Sequence, residues 1–137
     1  MYQLSTKGRY GTRLMYQLAK HYGQGPVLLK EIAKKENLSI KYMEQIIVLL
    51  KQANFITSLR GPYGGYALKK SPIEINMKEL LKVLEGEISP VHCVDNPNEC
   101  KKSDNCPAHN VWQILGRKIN KTLENITLQD MLDMNTG

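Results

Sequence analysis

The stretch Leu38-Ser-Ile-Lys-Tyr-Met-Glu-Gln-Ile-Ile-Val-Leu-Leu50 decides how this chain folds. Ser39 is a natural N-cap, because its hydroxyl can accept a free backbone N–H of a first helical turn. Behind it Met43, Ile46, Ile47 and Leu50 recur at i, i+3, i+4 and i+7, the spacing of one helix face. A helix starting at Ser39 and reaching Ala53 is expected, with that face inward. Ser39, Lys41, Glu44, Gln45 and Gln52 then fall largely on the outer side.

The flanks give this helix its context. Glu36-Asn-Leu38 is a tight polar turn, and Leu28 to Lys35 reads as a short helix with Leu29, Ile32 and Ala33 inward. Upstream, Ser5 caps a helix expected over Thr6 to Tyr22, with Tyr10, Leu14, Leu18 and Tyr22 as its apolar stripe. Gly8, Arg9 and Arg13 lie off that stripe, and the Gly and Pro residues of His21 to Pro26 end the helix. Downstream, Phe55 to Leu59 and Tyr66 to Leu68 have strand composition, joined by Arg60-Gly-Pro-Tyr-Gly-Gly65. Two short helices joined by a tight turn and followed by a hairpin form a helix-turn-helix with a wing.

The charge is distributed accordingly. Residues 1–72 carry 12 Lys and Arg against 3 acids, a net of +9, and residues 73–137 carry 7 against 10, a net of −3. A basic half suits a polyanion, although charge alone fits a solvated face equally well. The helix-turn-helix favours double-stranded DNA. Its second helix can enter the major groove, where Glu44 can accept from a cytosine amino group. At the wing tip Arg60 can enter a narrow minor groove, and the neighbouring glycines allow close backbone approach. Candidate DNA contacts are therefore Ser39, Lys41, Glu44 and Gln45 on the helix, Arg60, Gly61, Pro62 and Gly64 at the wing, and Arg9 on the first helix. Arg9, with Lys7 and Arg13, would touch phosphate and position the protein without reading sequence. A basic face for a protein or RNA is the other reading.

The chain has 137 residues, a common size for one domain. No linker or repeat divides it, so residues 1–137 are expected to form a single domain, with a DNA-binding part (1–72) and a second part (73–137). Its longest strictly aliphatic run, Ile46 to Leu50, is far too short to cross a membrane. No apolar segment follows the first basic residues, so no signal peptide and a cytoplasmic protein are expected. No nucleophile with a base, phosphate loop or paired carboxylates at useful spacing is present, so an enzyme is not expected.

In the second part, Asn76-Met-Lys-Glu79 resembles a capping box for a helix over residues 77–85, with Met77, Leu80, Leu81 and Leu84 inward and Gly86 ending it. Pro107 opens a longer helix reaching Ile126, with Val111, Leu115, Ile119 and Ile126 on one face and Trp112 and Leu123 flanking. Such a helix is too long for one small core to cover and is expected to be a homodimer interface, so that two half-sites of a palindromic operator are read together. Thr127-Leu-Gln-Asp130 caps one final turn.

All three cysteines lie between these helices, in the spacing Cys93-x6-Cys100-x5-Cys106-x2-His109. Four soft or borderline ligands suit zinc or an iron–sulfur cluster, and free redox thiols are a third possibility. Cys106, just before a helix start, gains thiolate character from the helix dipole. His109, in the first turn, can point back towards the loop or be an ordinary surface residue. His92, Asp95, Glu99 and Asp104 are further ligand candidates.

Assembled, these residues resemble the IscR family of winged-helix regulators, which also includes NsrR, RirA and CymR. The resemblance runs through Leu4-Ser-Thr-Lys-Gly-Arg-Tyr10, Leu38-Ser-Ile-Lys-Tyr-Met-Glu-Gln45, Arg60-Gly-Pro-Tyr-Gly-Gly-Tyr66 and the cysteine segment to Asn125-Ile-Thr-Leu128. It implies a homodimeric transcription factor that senses iron or redox status through a 2Fe–2S cluster, held by Cys93, Cys100, Cys106 and His109, with zinc the runner-up. It implies base and wing contacts at Lys41, Glu44, Gln45 and Arg60, and encounters with cluster-delivery proteins. NsrR-type members complete the cluster with an N-terminal aspartate; Arg9 stands at that place here, which favours His109. One departure is the first gap, six residues here and five in IscR. CymR-type members lack the cysteines and represent the alternative, a zinc- or thiol-regulated repressor of cysteine and sulfur metabolism.

Overall fold

The computed structural model describes residues 4–61, 64–86 and 106–134. Helix α3 (Ile40–Gln52) starts as expected: Ser39 Oγ accepts the Tyr42 N–H at 3.1 Å. Its inward residues Met43, Ile46, Ile47 and Leu50 are all buried. The preceding helix, α2 (Leu29–Glu36), ends at Asn37, which takes the left-handed conformation at φ 55° and ψ 50°. Asparagine tolerates that conformation better than most residues. The chain thereby turns within three residues, Asn37 to Ser39, and α3 begins.

Helix α1 spans Thr6–Lys20, two residues shorter than expected. Leu14 and Leu18 are fully buried and Tyr10 is half-buried, but Tyr22 is exposed and belongs to the loop. The glycines that follow Tyr22 break the helix before its ring can join the core. Gln17, also on the inner side, donates from Nε2 to Glu36 Oε1 at 2.8 Å and ties α1 to the end of α2.

Strands β1 (Ile56–Leu59) and β2 (Gly65–Leu68) pair antiparallel, with Ile56 opposite Leu68 and Leu59 opposite Gly65. The hairpin gains a third partner from the loop after α1: Val27 N–H donates to Tyr66 O and Tyr66 N–H to Val27 O, both at 2.8 Å. This close pairing explains Gly65, which lies at φ +149° and where a Cβ would run into the Val27 carbonyl.

A single 3-10 turn (Pro72–Glu74) leads into α4 (Met77–Glu85). Asn76 Oδ1 accepts the Glu79 N–H at 2.9 Å, the expected cap. Helices α1 and α4 meet where α1 has glycines. A Cβ on Gly11 would lie 2.6 Å from Leu84 Cδ1, and one on Gly8 would overlap the Glu85 carboxylate. Gly8, expected off the apolar stripe, is therefore buried.

The chain resumes in α5 (Pro107–Glu124) and closes with α6 (Leu128–Met134). Thr127 and Asp130 cap α6 reciprocally: Thr127 N–H donates to Asp130 Oδ2 at 2.9 Å and Asp130 N–H to Thr127 Oγ1 at 3.2 Å. Backbone bonds Met77 N–H to Ile126 O (2.8 Å) and Leu128 N–H to Ile75 O (3.0 Å) clamp this corner to the start of α4. Leu128 and Ile75 are fully buried, in the same core cluster as Leu14, Met43 and Leu50.

The expected single apolar face of α5 divides in two. Ile119, Leu123 and Ile126 pack on the core. Val111, Trp112, Ile114 and Leu115 are exposed at 53%, 37%, 48% and 42%. The residues of α5 that are buried are His109 and Gly116, seven apart, which shows that the inward line runs through His109, Gly116 and Leu123 rather than through Val111 and Leu115. Helical geometry allows this because 111 and 115 are rotated away from 109 and 116 by about 100° per residue. The architecture is mainly helical with a two-stranded wing, as expected, and α5, at 18 residues, is about 27 Å long.

The α1–α4 contact is testable. Gly11→Val should lower stability by about 1–3 kcal/mol through overpacking against Leu84, read from the urea midpoint. An unchanged midpoint would mean the two helices do not approach this closely.

Candidate nucleic-acid interface

The outer face of α3 carries Lys41, Glu44 and Gln45, all exposed, with Ser39 exposed at the cap. The pattern that buries Met43, Ile46, Ile47 and Leu50 leaves these side chains pointing away from the core. Arg60 and Gly61 are exposed at the end of β1, and Pro62 lies outside the described residues. Gly64 differs from the others: it is buried, and its N–H donates to Gly61 O at 2.9 Å. It shapes the turn of the wing rather than offering a surface. Lys51 Nζ reaches Ser58 Oγ at 3.3 Å, linking the end of α3 to β1.

Arg9, Arg13 and Lys7 are exposed on α1. The guanidiniums of Arg9 and Arg13 lie 5.6 and 5.4 Å from the centre of the Tyr10 ring. Tyr10 in turn meets Tyr42 of α3 edge-on, with centroids 6.1 Å apart and planes at 89°. Each cation–π contact is worth about 0.5–1 kcal/mol at an exposed site. Together they bring the two arginines beside α3. Sequence reasoning placed Tyr10 in an apolar stripe and overlooked Tyr42, because a ring pair between separate helices leaves no local pattern.

A second overlooked residue is Glu85. Its Oε1 accepts the Ser5 N–H at 2.7 Å and the Ser5 hydroxyl, while Ser5 Oγ accepts the Gly8 N–H at 3.2 Å. A carboxylate at a helix N-terminus is favoured by the free N–H groups there. The last residue of α4 thus holds the start of α1.

Of the four candidate metal ligands, the structure describes two. Cys106 is the N-cap of α5, half-buried, and makes no side-chain cap hydrogen bond. His109, three residues on, is 4% exposed, so it is not a surface residue. Pro107 at the first helical position sets the start of α5 and places both side chains at one end of it. Cys93 and Cys100 lie outside the described residues, as do His92, Asp95, Glu99 and Asp104. Among the described residues no three His, Cys, Asp or Glu side chains group to hold a metal ion. Nor, among them, is any helix long and apolar enough to cross a membrane.

Three packed helices, the second and third joined by a tight turn, followed by a hairpin on the same core, define a winged helix-turn-helix protein. The chain belongs to the Rrf2 family, whose model, described as an iron-dependent transcriptional regulator, matches residues 4–134. It is 38% identical over 135 residues to the HTH-type transcriptional regulator CymR of Bacillus subtilis (strain 168), spanning 98% of this chain and 93% of that protein. It is 33% identical over 131 residues to the regulator IscR of Pectobacterium carotovorum, spanning 96% of this chain and 79% of that one. Among solved structures, CymR of B. subtilis, titled a global cysteine regulator, superposes with a TM-score of 0.84 at 37% identity, covering 98% of this chain and 99% of that one. The IscR of T. potens superposes at 0.79 with 37% identity, covering 96% and 87%. The chain is accordingly a transcriptional regulator.

Arg60→Ala should weaken duplex binding and flatten the plot of log affinity against log salt by about one. Fluorescence anisotropy across a salt series measures both; an unaltered affinity and slope would remove Arg60 from the interface.

Proposed function

We propose that this regulator binds a palindromic DNA operator as a homodimer and that a 2Fe–2S cluster sets its affinity. Ser39, Lys41, Glu44 and Gln45 read the major groove, and Arg60 with Gly61 and Pro62 approaches the minor groove, on a turn that the buried Gly64 shapes. Arg9 holds phosphate. Cys93, Cys100, Cys106 and His109 hold the cluster. The observation that carries this reading is the placement of Cys106 and His109 on the first turn of the helix whose next turns expose Val111, Trp112, Ile114 and Leu115.

The donor set fits such a group. Cys106, the N-cap residue of α5 with no side-chain cap bond, offers its sulfur as a soft ligand. His109 supplies an imidazole within one turn of it. When bound, the cluster supplies a redox-active, oxidation-sensitive centre with one labile nitrogen ligand. The chain's own residues do the rest. Ligation would tie the start of α5 to Cys93 and Cys100, and α5 carries the exposed apolar face onward. Four large exposed apolar side chains on one helix end mark an interface, and an open apolar depression of ≈ 270 Å³ lined by Lys118, Ile119, Thr122 and Leu123 lies further along the same helix. A second copy on this face would set the separation of two α3 helices, and a shift at the first turn of α5 would change that separation.

A second reading, a thiol- or zinc-regulated repressor of cysteine and sulfur metabolism without a cluster, draws support from the 38% identity to CymR. Anaerobic purification separates the two. Cluster-bearing protein should be reddish-brown, contain about two iron and two sulfide per chain, and lose its visible absorption on Cys106→Ala. Colourless protein with zinc or with free thiols would overturn the cluster reading and favour the second.

The dimer has its own test. Leu115→Lys should yield monomers by sedimentation without loss of folded structure, because Leu115 is 42% exposed in the single chain. Ile119 is not a suitable site for this test, since it packs on the core. Persistent dimers would place the interface elsewhere.

A further inference from the structure

Beyond Ile40 at its first position, the outer face of α3 holds one exposed large apolar residue that neither the core nor the expected polar contacts account for. Val48 is 52% exposed, the most exposed large apolar residue of the helix. The inward positions are already filled by Met43, Ile46, Ile47 and Leu50, and Val48 is not part of the core cluster. A valine on a half-exposed helix position contributes little to folding, because its β-branch restricts the side chain and about half of it stays in water. Around it the surface is polar. Glu44 and Gln45 lie one turn before it and Lys51 and Gln52 one turn after, all four exposed. A single isopropyl group framed this way is far too small for a protein-docking surface. It matches a methyl group.

We infer that Val48 is a specificity-determining residue, packing its isopropyl group on the C5-methyl of a thymine in the major groove. This rests on the proposal that α3 reads duplex DNA. The flanking charge, Lys41 and Lys51 on α3 and Arg60 on the wing, suits the polyanion that would bring that methyl into place. Of the base edges displayed in the major groove, thymine offers the apolar group, where the others offer hydrogen-bond donors and acceptors. Val48 follows Glu44 by four residues, so the two stand in one row on the helix surface, about 6 Å apart along its axis. Base pairs are stacked about 3.4 Å apart. The thymine therefore lies within about two base pairs of the cytosine whose amino group Glu44 accepts.

The test uses full-length protein purified without oxygen and a pool of randomised duplexes. The parent protein should select a half-site with a fixed thymine near a C·G pair, and Val48→Ser should select the same site with that thymine relaxed. Replacing the thymine by deoxyuridine, which removes only the methyl, should weaken the parent about fourfold per half-site. Val48→Ser should bind both duplexes equally, and Val48→Thr, which keeps one methyl and the shape, should fall between. Melting temperature and dimer mass should be the same for all three. A parent indifferent to every deoxyuridine substitution, or a Val48→Ser protein that keeps the parent's sensitivity, overturns the assignment while leaving the DNA-reading proposal standing. Monomers on Val48→Ser would overturn it in favour of an interface role. A parent that selects no consensus overturns the DNA-reading proposal itself, and this inference with it.

Discussion

The burial of one face of α3 is the constraint on which the rest depends. Met43, Ile46 and Leu50 are fully buried, and Ile47 nearly so. Each contributes about 1.5–3 kcal/mol relative to exposure. Rolling the helix by a single residue, about 100°, would carry these side chains towards water and bring Glu44 or Lys51 into the core. The outward set is fixed by the inward one. The neighbouring elements are built around that orientation: Tyr42 receives Tyr10 and hence the two arginines of α1, and Lys51 meets Ser58 of β1.

The second half of the chain is joined to these helices by close backbone approach and by paired polar groups. Glycines at 8 and 11 let α4 lie against α1, and Glu85 then caps the helix it touches. The clamp between Ile75–Met77 and Ile126–Leu128 holds the far end of α4 to the corner after α5. The two ends of α4 are thus tied, one to the start of α1 and the other to the corner after α5.

Helix α5 presents two different faces. Its line through His109, Gly116 and Leu123 turns inward, while Val111, Trp112, Ile114 and Leu115 turn to solvent. This division gives physical content to the proposed sensor, because two of the candidate ligands, Cys106 and His109, share one helix with the candidate interface. Relatives named for IscR and for CymR resemble the chain at similar identity. Family membership therefore establishes a transcriptional regulator, and the choice between cluster and thiol rests on the donors Cys93, Cys100, Cys106 and His109 themselves.

Much of this was legible in the sequence, because it is local. Ser39, Asn76 and Thr127 announced helix starts through side chains that bond three residues ahead, and the inward positions of α3 and α4 followed from the 3.6-residue period. The outer face of α3 followed from the same period, and the two strands of the wing from strand composition on either side of a Gly- and Pro-rich connection. What only the tertiary structure decided depends on which element lies across from which. Tyr22 left the stripe because the helix ended before it, and Gly8 entered the interior because α4 arrived there. The apolar residues of α5 divided between core and solvent, and His109 became buried, because the facing elements cover one line of that helix and leave the next open. Periodicity records that a side chain is apolar and how it is spaced; only the packed neighbours determine whether it meets the chain's own core or awaits another surface.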